Sequence, residues 1–336
     1  MELLIHKLDN FLLFPFGSHY LGTSTDDSDI DILCGCLGGD NIDTCIEILK
    51  DVEDVEIVAK VPSYIPLLKL IVKGIPVDIT FATLTEKCHR QNLMDFIEPT
   101  ENNARAVNGV FVSDFLRESV SNWGLFTEVV KRVKKWATER KIYGSMLGFP
   151  GGMAWTLMVA KIFQLGIFNH FTPVDEAFNK FLWIYKYWKW PAPIVICEKY
   201  EPEGGNKYKN WNPLKYPKDY CFMAVITPVY PTMNSTYSVN EATLKVIQRE
   251  IDLTLFKSSN LDRNYTIIEL KIPENDDGSF RLKLKGMAAK LNSIDGVEYA
   301  HPFLDGESEA HKIGINCSKS VDITNIFEDF EIANLY

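Results

Sequence analysis

Asp29, Asp31 and Asp78 are the side chains with which this chain could do chemistry. Asp29 and Asp31 close the stretch FGSHYLGTSTDDSDIDIL, residues 16–33, and Gly17-Ser18 stands at its start. Alternate residues of a strand point to one face. A strand over 29–33 therefore turns both carboxylates one way, and Ile30 and Ile32 the other way into a core. Two adjacent carboxylates repel, and the arrangement persists around a cation; hard oxygen donors favour Mg²⁺. Gly17, lacking a Cβ, lets the backbone approach a ligand, and Ser18 adds a hydroxyl and an N–H suited to a phosphate. In VDITFA, residues 77–82, Val77, Ile79 and Phe81 alternate with Asp78 and Thr80, the pattern of a half-buried strand. If that strand neighbours the first, three acids converge. Such a set fits phosphoryl transfer in which two metal ions acidify an attacking hydroxyl and hold a triphosphate.

Elements that could position these residues follow along the chain. Asn41 to Leu49 reads as a short helix. Val55–Val61 and Leu67–Lys73 read as strands, with the turn to Val77–Ala82 at Gly74-Ile75-Pro76. Apolar residues recur at helical spacing from Phe126 to Tyr143, with Gly144 placed as a C-cap. The other face carries Lys131, Arg132, Lys134, Lys135, Arg140 and Lys141. GFPGGMAW, residues 148–155, supplies a glycine-rich loop that can approach a flat ligand. A helical region begins at Trp155 and another at Phe178, whose aromatic stripe (Phe181, Trp183, Tyr187, Trp188) is expected in the core. Residues 198–220 read as a surface excursion. Ser238-Val239-Asn240-Glu241 reads as a capping box opening a helix with Leu244, Ile247, Ile251 and Leu255 on one face. Strands at Tyr265–Ile272, Gly296–Phe303 and His311–Cys317, with helices at Phe280–Ile294 and Ile323–Leu335, predict a small βαββα domain with Ile326, Phe327 and Phe330 inward.

Composition narrows the classes. A chain of 336 residues predicts two or three domains and an ample core. No run of about eighteen apolar residues marks a transmembrane helix, and no membrane partner is expected. Seven scattered cysteines without a CxxC favour a reducing compartment over a disulfide scaffold or zinc ribbon. The net charge of −10 provides no global attraction to nucleic acid, so nucleic-acid binding must rest on a local patch.

The Gly-Ser, spacer and Asp-x-Asp pattern resembles the nucleotidyltransferase superfamily that includes DNA polymerase beta and the poly(A) polymerases. GIPVDI, AVNG (106–109), KKWATERKIYGSMLGFPGGMAW, WNP (211–213), VITPVYPTMNSTYSVNEAT (225–243) and AHPF (300–303) extend the resemblance to the nuclear-type eukaryotic poly(A) polymerases over almost the whole chain. That resemblance implies an α+β protein of three parts. These are a polymerase-beta-like nucleotidyltransferase domain (1–120), a helical middle domain (121–258) and a shortened RNA-recognition-like C-terminal α/β domain (259–336). It implies ATP-dependent, template-independent addition of AMP to a single-stranded oligo(A) RNA 3′ end, with two Mg²⁺ ions that Mn²⁺ could replace. It also implies a monomer that works with 3′-end processing factors in the nucleus. Carried over, Asp29, Asp31 and Asp78 match the metal-binding acids, and Phe16, Gly17 and Ser18 the motif that positions the triphosphate. Asn108, Lys134 and Tyr143 match contacts to ATP ribose, phosphate or base; Lys69 matches a cleft lysine. Ile65 and Met153 fall where adenine is sandwiched, and Gly151 and Gly152 belong to the loop beside it.

Two positions depart from the pattern. Ser145 stands where the family has Asn, and Met153 replaces a usual Val, although Met packs readily on a flat base. The extension ahead of the first motif is mostly missing, and the C-terminal domain is short and acidic. Two other readings compete: a uridylyl- or CCA-adding transferase, against which the FPGG, WNP and Pro-Tyr-Pro segments argue, and an inactive scaffold for RNA or processing factors, against which the three acids argue.

Overall fold

Residues 2–25, 28–39, 41–61, 65–196, 207–256, 266–271, 277–304, 311–327 and 332–335 are described by a computed structural model. The chain divides into two compact units, 1–131 with 195–212 and 227–233, and 132–194 with 213–226 and 234–336.

The first unit runs α1 (Glu2–Lys7), β1 (Leu12–Phe16), α2 (Gly17–Leu21), β2 (Ile30–Cys36), α3 (Ile42–Leu49), β3 (Val55–Val61), β4 (Leu67–Val72), β5 (Ile75–Thr83) and α4 (Glu101–Ser119). Its five strands lie in the order β1-β2-β5-β4-β3. β2 and β5 are parallel and every other pair is antiparallel. A parallel pair needs a crossover, which α3, β3 and β4 provide. Asn41 caps α3, accepting from the Asp43 and Thr44 amides while the Thr44 hydroxyl accepts from the Asn41 amide. The two faces of the sheet bury different clusters. Ile32, Cys34, Leu68, Leu70, Val77 and Ile79 pack with Leu4, Ile42, Cys45 and Leu49 on one side. Leu33, Phe14 and Ala82 pack with Ala104, Val107 and Val110 of α4 on the other. The turn before β5 lies earlier than the glycine-proline reading placed it: Lys73 and Gly74 take the positive φ values (51° and 77°), and β5 already begins at Ile75.

α5 (Trp123–Glu139) begins in the first unit and ends in the second. It stops short of the expected Tyr143, since Lys141 adopts φ 59°, and Gly144 precedes a 3₁₀ turn at Ser145–Leu147 instead of capping a helix. The second unit continues with α6 (Gly152–Gln164), α7 (Val174–Lys186), α8 (Glu241–Phe256), β6 (Thr266–Leu270), α9 (Asp277–Asn292), β7 (Val297–Leu304), β8 (His311–Cys317) and β9 (Ile332–Leu335). Its helical core centres on Trp155, edge-on to Trp136 at 5.9 Å, with Phe181 and Tyr185 fully covered. Only part of the aromatic stripe is core. Trp183 on the outer face of α7 and Tyr187 at its C-cap are exposed and stacked on each other at 5.8 Å.

Two further expectations change. The cap of α8 is Asn240, which exchanges hydrogen bonds with Thr243, not Ser238, which is buried. Among its described residues the last segment holds no α-helix. A 3₁₀ turn at Thr324–Ile326 leads to β9, which pairs antiparallel with β6 and completes an antiparallel sheet ordered β7-β8-β6-β9. Ile326 and Phe327 are partly and fully buried respectively, while Phe330 lies outside the described residues, as do the ends of the strand read at 265–272.

Candidate active site

One row of residues crosses the first sheet. Strand pairing sets Phe16 opposite Asp31, Asp31 opposite Asp78, and Asp78 opposite Lys69. Side chains directly opposite on neighbouring strands share a face. The row therefore places an aromatic ring, two carboxylates and an ammonium side by side on the face that packs against α4. Lys69 Nζ lies 2.9 and 3.2 Å from the two oxygens of Asp78. Burial pushes the Asp78 carboxyl above its ordinary range; Lys69 opposes that shift, and the charge and hydrogen bond of Asp29 add to it. Asp29 itself sits just before β2, not within it. Asp29 and Asp31 thus each adjoin Asp78, the first through a side-chain hydrogen bond and the second through strand register. Among the described residues no group of three or more acids, histidines or cysteines is already arranged as a metal cage.

The Gly17-Ser18 turn rests directly on this row. Gly17 adopts φ +68°, and a Cβ there would come within 2.0 Å of Asp31 Oδ2. Only glycine combines that backbone conformation with that approach. The Gly17 N–H donates to Ser113 Oγ at 3.1 Å, and Ser113 Oγ donates to the Gly109 carbonyl at 2.8 Å. Gly109 is itself required by packing, because a Cβ would lie 2.6 Å from the Phe16 ring. The Thr23 amide returns to the Ser18 carbonyl at 2.9 Å and closes α2. Asn108, buried in the same α4, donates its amide hydrogens to the Val229 and Pro231 carbonyls at 3.3 and 3.0 Å. Ile65 is partly buried against the Phe14–Leu33 cluster.

The second unit holds the remaining residues singled out from sequence. α6 opens at Gly152 with extended Gly151 as its N-cap and no side chain capping it. A Cβ on Gly152 would sit 2.6 Å from Tyr143 Oη and 3.6 Å from Lys134 Nζ. Lys134 is only 4% exposed. A helix N-terminus with a buried cation beside it suits an anion. Met153 is partly exposed on the first turn of α6. The preceding loop is closed by Gly144 N–H to the Pro150 carbonyl and Phe149 N–H to the Gly144 carbonyl, both 3.1 Å.

Sequence reading missed Ser113, Gly109 as a packing site, and the group Tyr20, Arg90 and Asp114. For Ser113 the signal available was its spacing from Gly109, the last residue of AVNG, four positions away and so on one face of a helix.

Residues 125–265 match the poly(A) polymerase central domain. Over 96% of its length the chain is 31% identical to poly(A) polymerase PAPa of Candida albicans. Over 71% it is 36% identical to a poly(A) polymerase of Dictyostelium discoideum. The chain is thus similar to poly(A) polymerases over most of its length. A third relative, nuclear poly(A) polymerase 4 of Arabidopsis thaliana, is 32% identical over 77% of the chain. The chain spans 62%, 30% and 37% of these three relatives. The fold also matches solved nucleotidyltransferases. A cytoplasmic RNA terminal U-transferase aligns with a TM-score of 0.54 at 16% identity, covering 77% of this chain and 86% of that one. The Cid1 poly(U) polymerase with Mg and 3′-dATP bound aligns with a TM-score of 0.54 at 17% identity, covering 78% and 87%. At such identities the likeness concerns fold alone.

Proposed function

We propose that this poly(A) polymerase relative adds AMP from ATP to the 3′ end of single-stranded RNA without a template. The observation that carries the reading is the row Phe16–Asp31–Asp78–Lys69, with Gly17 held against the Asp31 carboxylate. The donor set there is all carboxylate oxygen, which fits a hard divalent cation such as Mg²⁺, and the Asp31 carboxylate lies where a side chain on Gly17 would otherwise reach. Asp29, Asp31 and Asp78 are the residues that would hold it. Bound there, Mg²⁺ would neutralise triphosphate charge and make a neighbouring hydroxyl more acidic.

The remaining roles belong to the chain. Asp78, whose carboxyl burial keeps more basic than usual, accepts or orients the proton of the RNA 3′-hydroxyl. Ser18 offers its hydroxyl and N–H to the triphosphate beside Phe16 and Gly17. Lys69 leaves Asp78 for phosphate oxygens as charge develops. Lys134, Tyr143, Gly151 and Gly152 are assigned to nucleotide phosphate and ribose or base. Asn108 offers its Oδ1, its N–H groups being already engaged. Ile65 and Met153 are assigned to the faces of adenine. The division 1–120, 121–258 and 259–336 is kept as a working one, supported in its middle part by the central-domain match at 125–265. A nuclear setting is supported by relatives named as nuclear poly(A) polymerases. A monomer serving 3′-end processing factors completes the proposal.

Primer extension with each nucleoside triphosphate in a separate tube tests the substrate. A ladder on an RNA primer with ATP alone is the expected result, showing that Ser145 and Met153 still select adenine. Ladders with UTP or CTP rivalling that with ATP would transfer the chain to the uridylyl- or CCA-adding reading.

A further inference from the structure

The Gly17-Ser18 turn is gripped from behind by groups that no sequence motif marks. Ser113 Oγ accepts from the Gly17 N–H and donates its own hydrogen bond to the Gly109 carbonyl, which fixes the turn to the middle of α4. Ser113 is fully buried, so this hydrogen bond has no competing water. One residue further along α4, Asp114 takes three hydrogen bonds. Tyr20 Oη donates at 2.9 Å, and Arg90 Nε lies 2.9 and 2.8 Å from its two oxygens. Burial and the Asp114 hydrogen bond push the Tyr20 phenol above its usual range, which keeps it a donor. The other end of the same guanidinium donates to the Pro15 carbonyl at 2.6 Å, and its Cζ lies 4.1 Å from the centroid of the Tyr20 ring. Arg117 completes the grip with a 3.0 Å hydrogen bond to the Tyr20 carbonyl.

These contacts fall on both sides of the glycine. Pro15 precedes the turn, Gly17 is in it, and Tyr20 follows it. Gly17 itself cannot hold the turn, since glycine is the residue with most conformational freedom to lose. A turn that must keep positive φ against a carboxylate therefore needs external anchors.

We propose that Ser113 and the linked set Tyr20–Asp114–Arg90 are positioning residues that clamp the Gly17-Ser18 turn in the conformation that receives the nucleotide's triphosphate. The proposal rests on the reading of that turn as the triphosphate site. None of the four touches the reacting atoms; each acts through Pro15, Gly17 or Tyr20.

Steady-state extension of an RNA primer separates this role from general support of the fold. Ser113→Ala deletes the hydrogen bond from the Gly17 N–H together with its own to the Gly109 carbonyl, and Tyr20→Phe deletes the one to Asp114. Each is expected to raise KM for ATP about fivefold, with kcat and KM for the RNA primer little changed, the pattern of lost ground-state binding. Tyr20→Phe keeps the ring under Arg90, and it decides the matter if Ser113→Ala does not fold. An unchanged KM for ATP in the folded variants would overturn the clamp, and so would a parallel rise in KM for RNA, which general loosening would give. A wild-type protein that extends no primer with ATP would instead remove the triphosphate reading, and the clamp with it.

Discussion

Asp78→Ala is expected to lower nucleotide addition by about a thousandfold, the scale of a lost general base, while leaving the protein folded. The second half of that expectation follows from the environment of the carboxylate. Its side chain is 15% exposed, and burial is the largest cause of its raised pKa, which begins from an ordinary 3.8. A carboxyl whose pKa is higher folded than unfolded stabilises the fold below its unfolded pKa and loses that contribution as pH rises through the folded pKa. At neutral pH the ionised group is therefore held at a cost, and its removal relieves that cost. The Lys69 left behind is 44% exposed and can be solvated by water. Thermal denaturation at pH 7 should thus show a Tm for Asp78→Ala no lower than that of the wild type, beside the collapse in activity. A variant that still extends primers at wild-type rate would remove Asp78 from the mechanism. A variant that is inactive because it is unfolded would show the carboxylate to be structural.

Gly17→Ala should fail differently, losing activity and stability together. The new methyl would have to occupy space 2.0 Å from Asp31 Oδ2 and 2.9 Å from its Cγ, on a backbone at φ +68°. The positive φ alone costs on the order of 1–3 kcal/mol for a residue with a side chain. The clash must then be relieved by moving either the turn or the Asp31 carboxylate. A shift of about an ångström in a reacting group is worth about a hundredfold in rate. Urea denaturation and primer extension on the same preparation check both effects. A stable, active Gly17→Ala protein would show that the turn does not rest on Asp31 as described.

The contrast between the two variants shows which parts of the site were legible. Asp31 and Asp78 could be found because strand alternation is local: Ile30 and Ile32 beside Asp31, and Val77 and Ile79 beside Asp78, declare which face each acid takes. Their adjacency required β2 and β5 to pair in parallel, with Ile32 opposite Ile79, which sequence allowed but did not dictate. Ser113 stayed hidden because a helical serine has no distinctive local pattern, and its partner Gly17 is 96 positions away. The end of the chain was misread for the same reason. Ile326 and Phe327 have spacing compatible with a helix, but β9 is fixed by hydrogen bonds to β6, a distant pairing outside any local window. At α8 two polar residues could have capped the helix, and burial removed Ser238 from the competition in favour of Asn240. On α7 the buried face is set by Ala177, Phe178, Phe181, Leu182 and Tyr185. Aromatic character alone could not tell that Trp183 and Tyr187 face outward.

In the proposed reaction a nucleotide is joined to an RNA 3′-hydroxyl. The most direct test compares two oligo(A) RNAs that differ only in their last sugar, one ending in a 3′-hydroxyl and one in a 3′-deoxyribose. Each is incubated with the full chain, Mg²⁺ and ATP labelled at the α-phosphate. Label is expected to enter the first RNA as a ladder and to be absent from the second. Label on both RNAs, or on neither while Mg·ATP still binds, would contradict the proposed reaction.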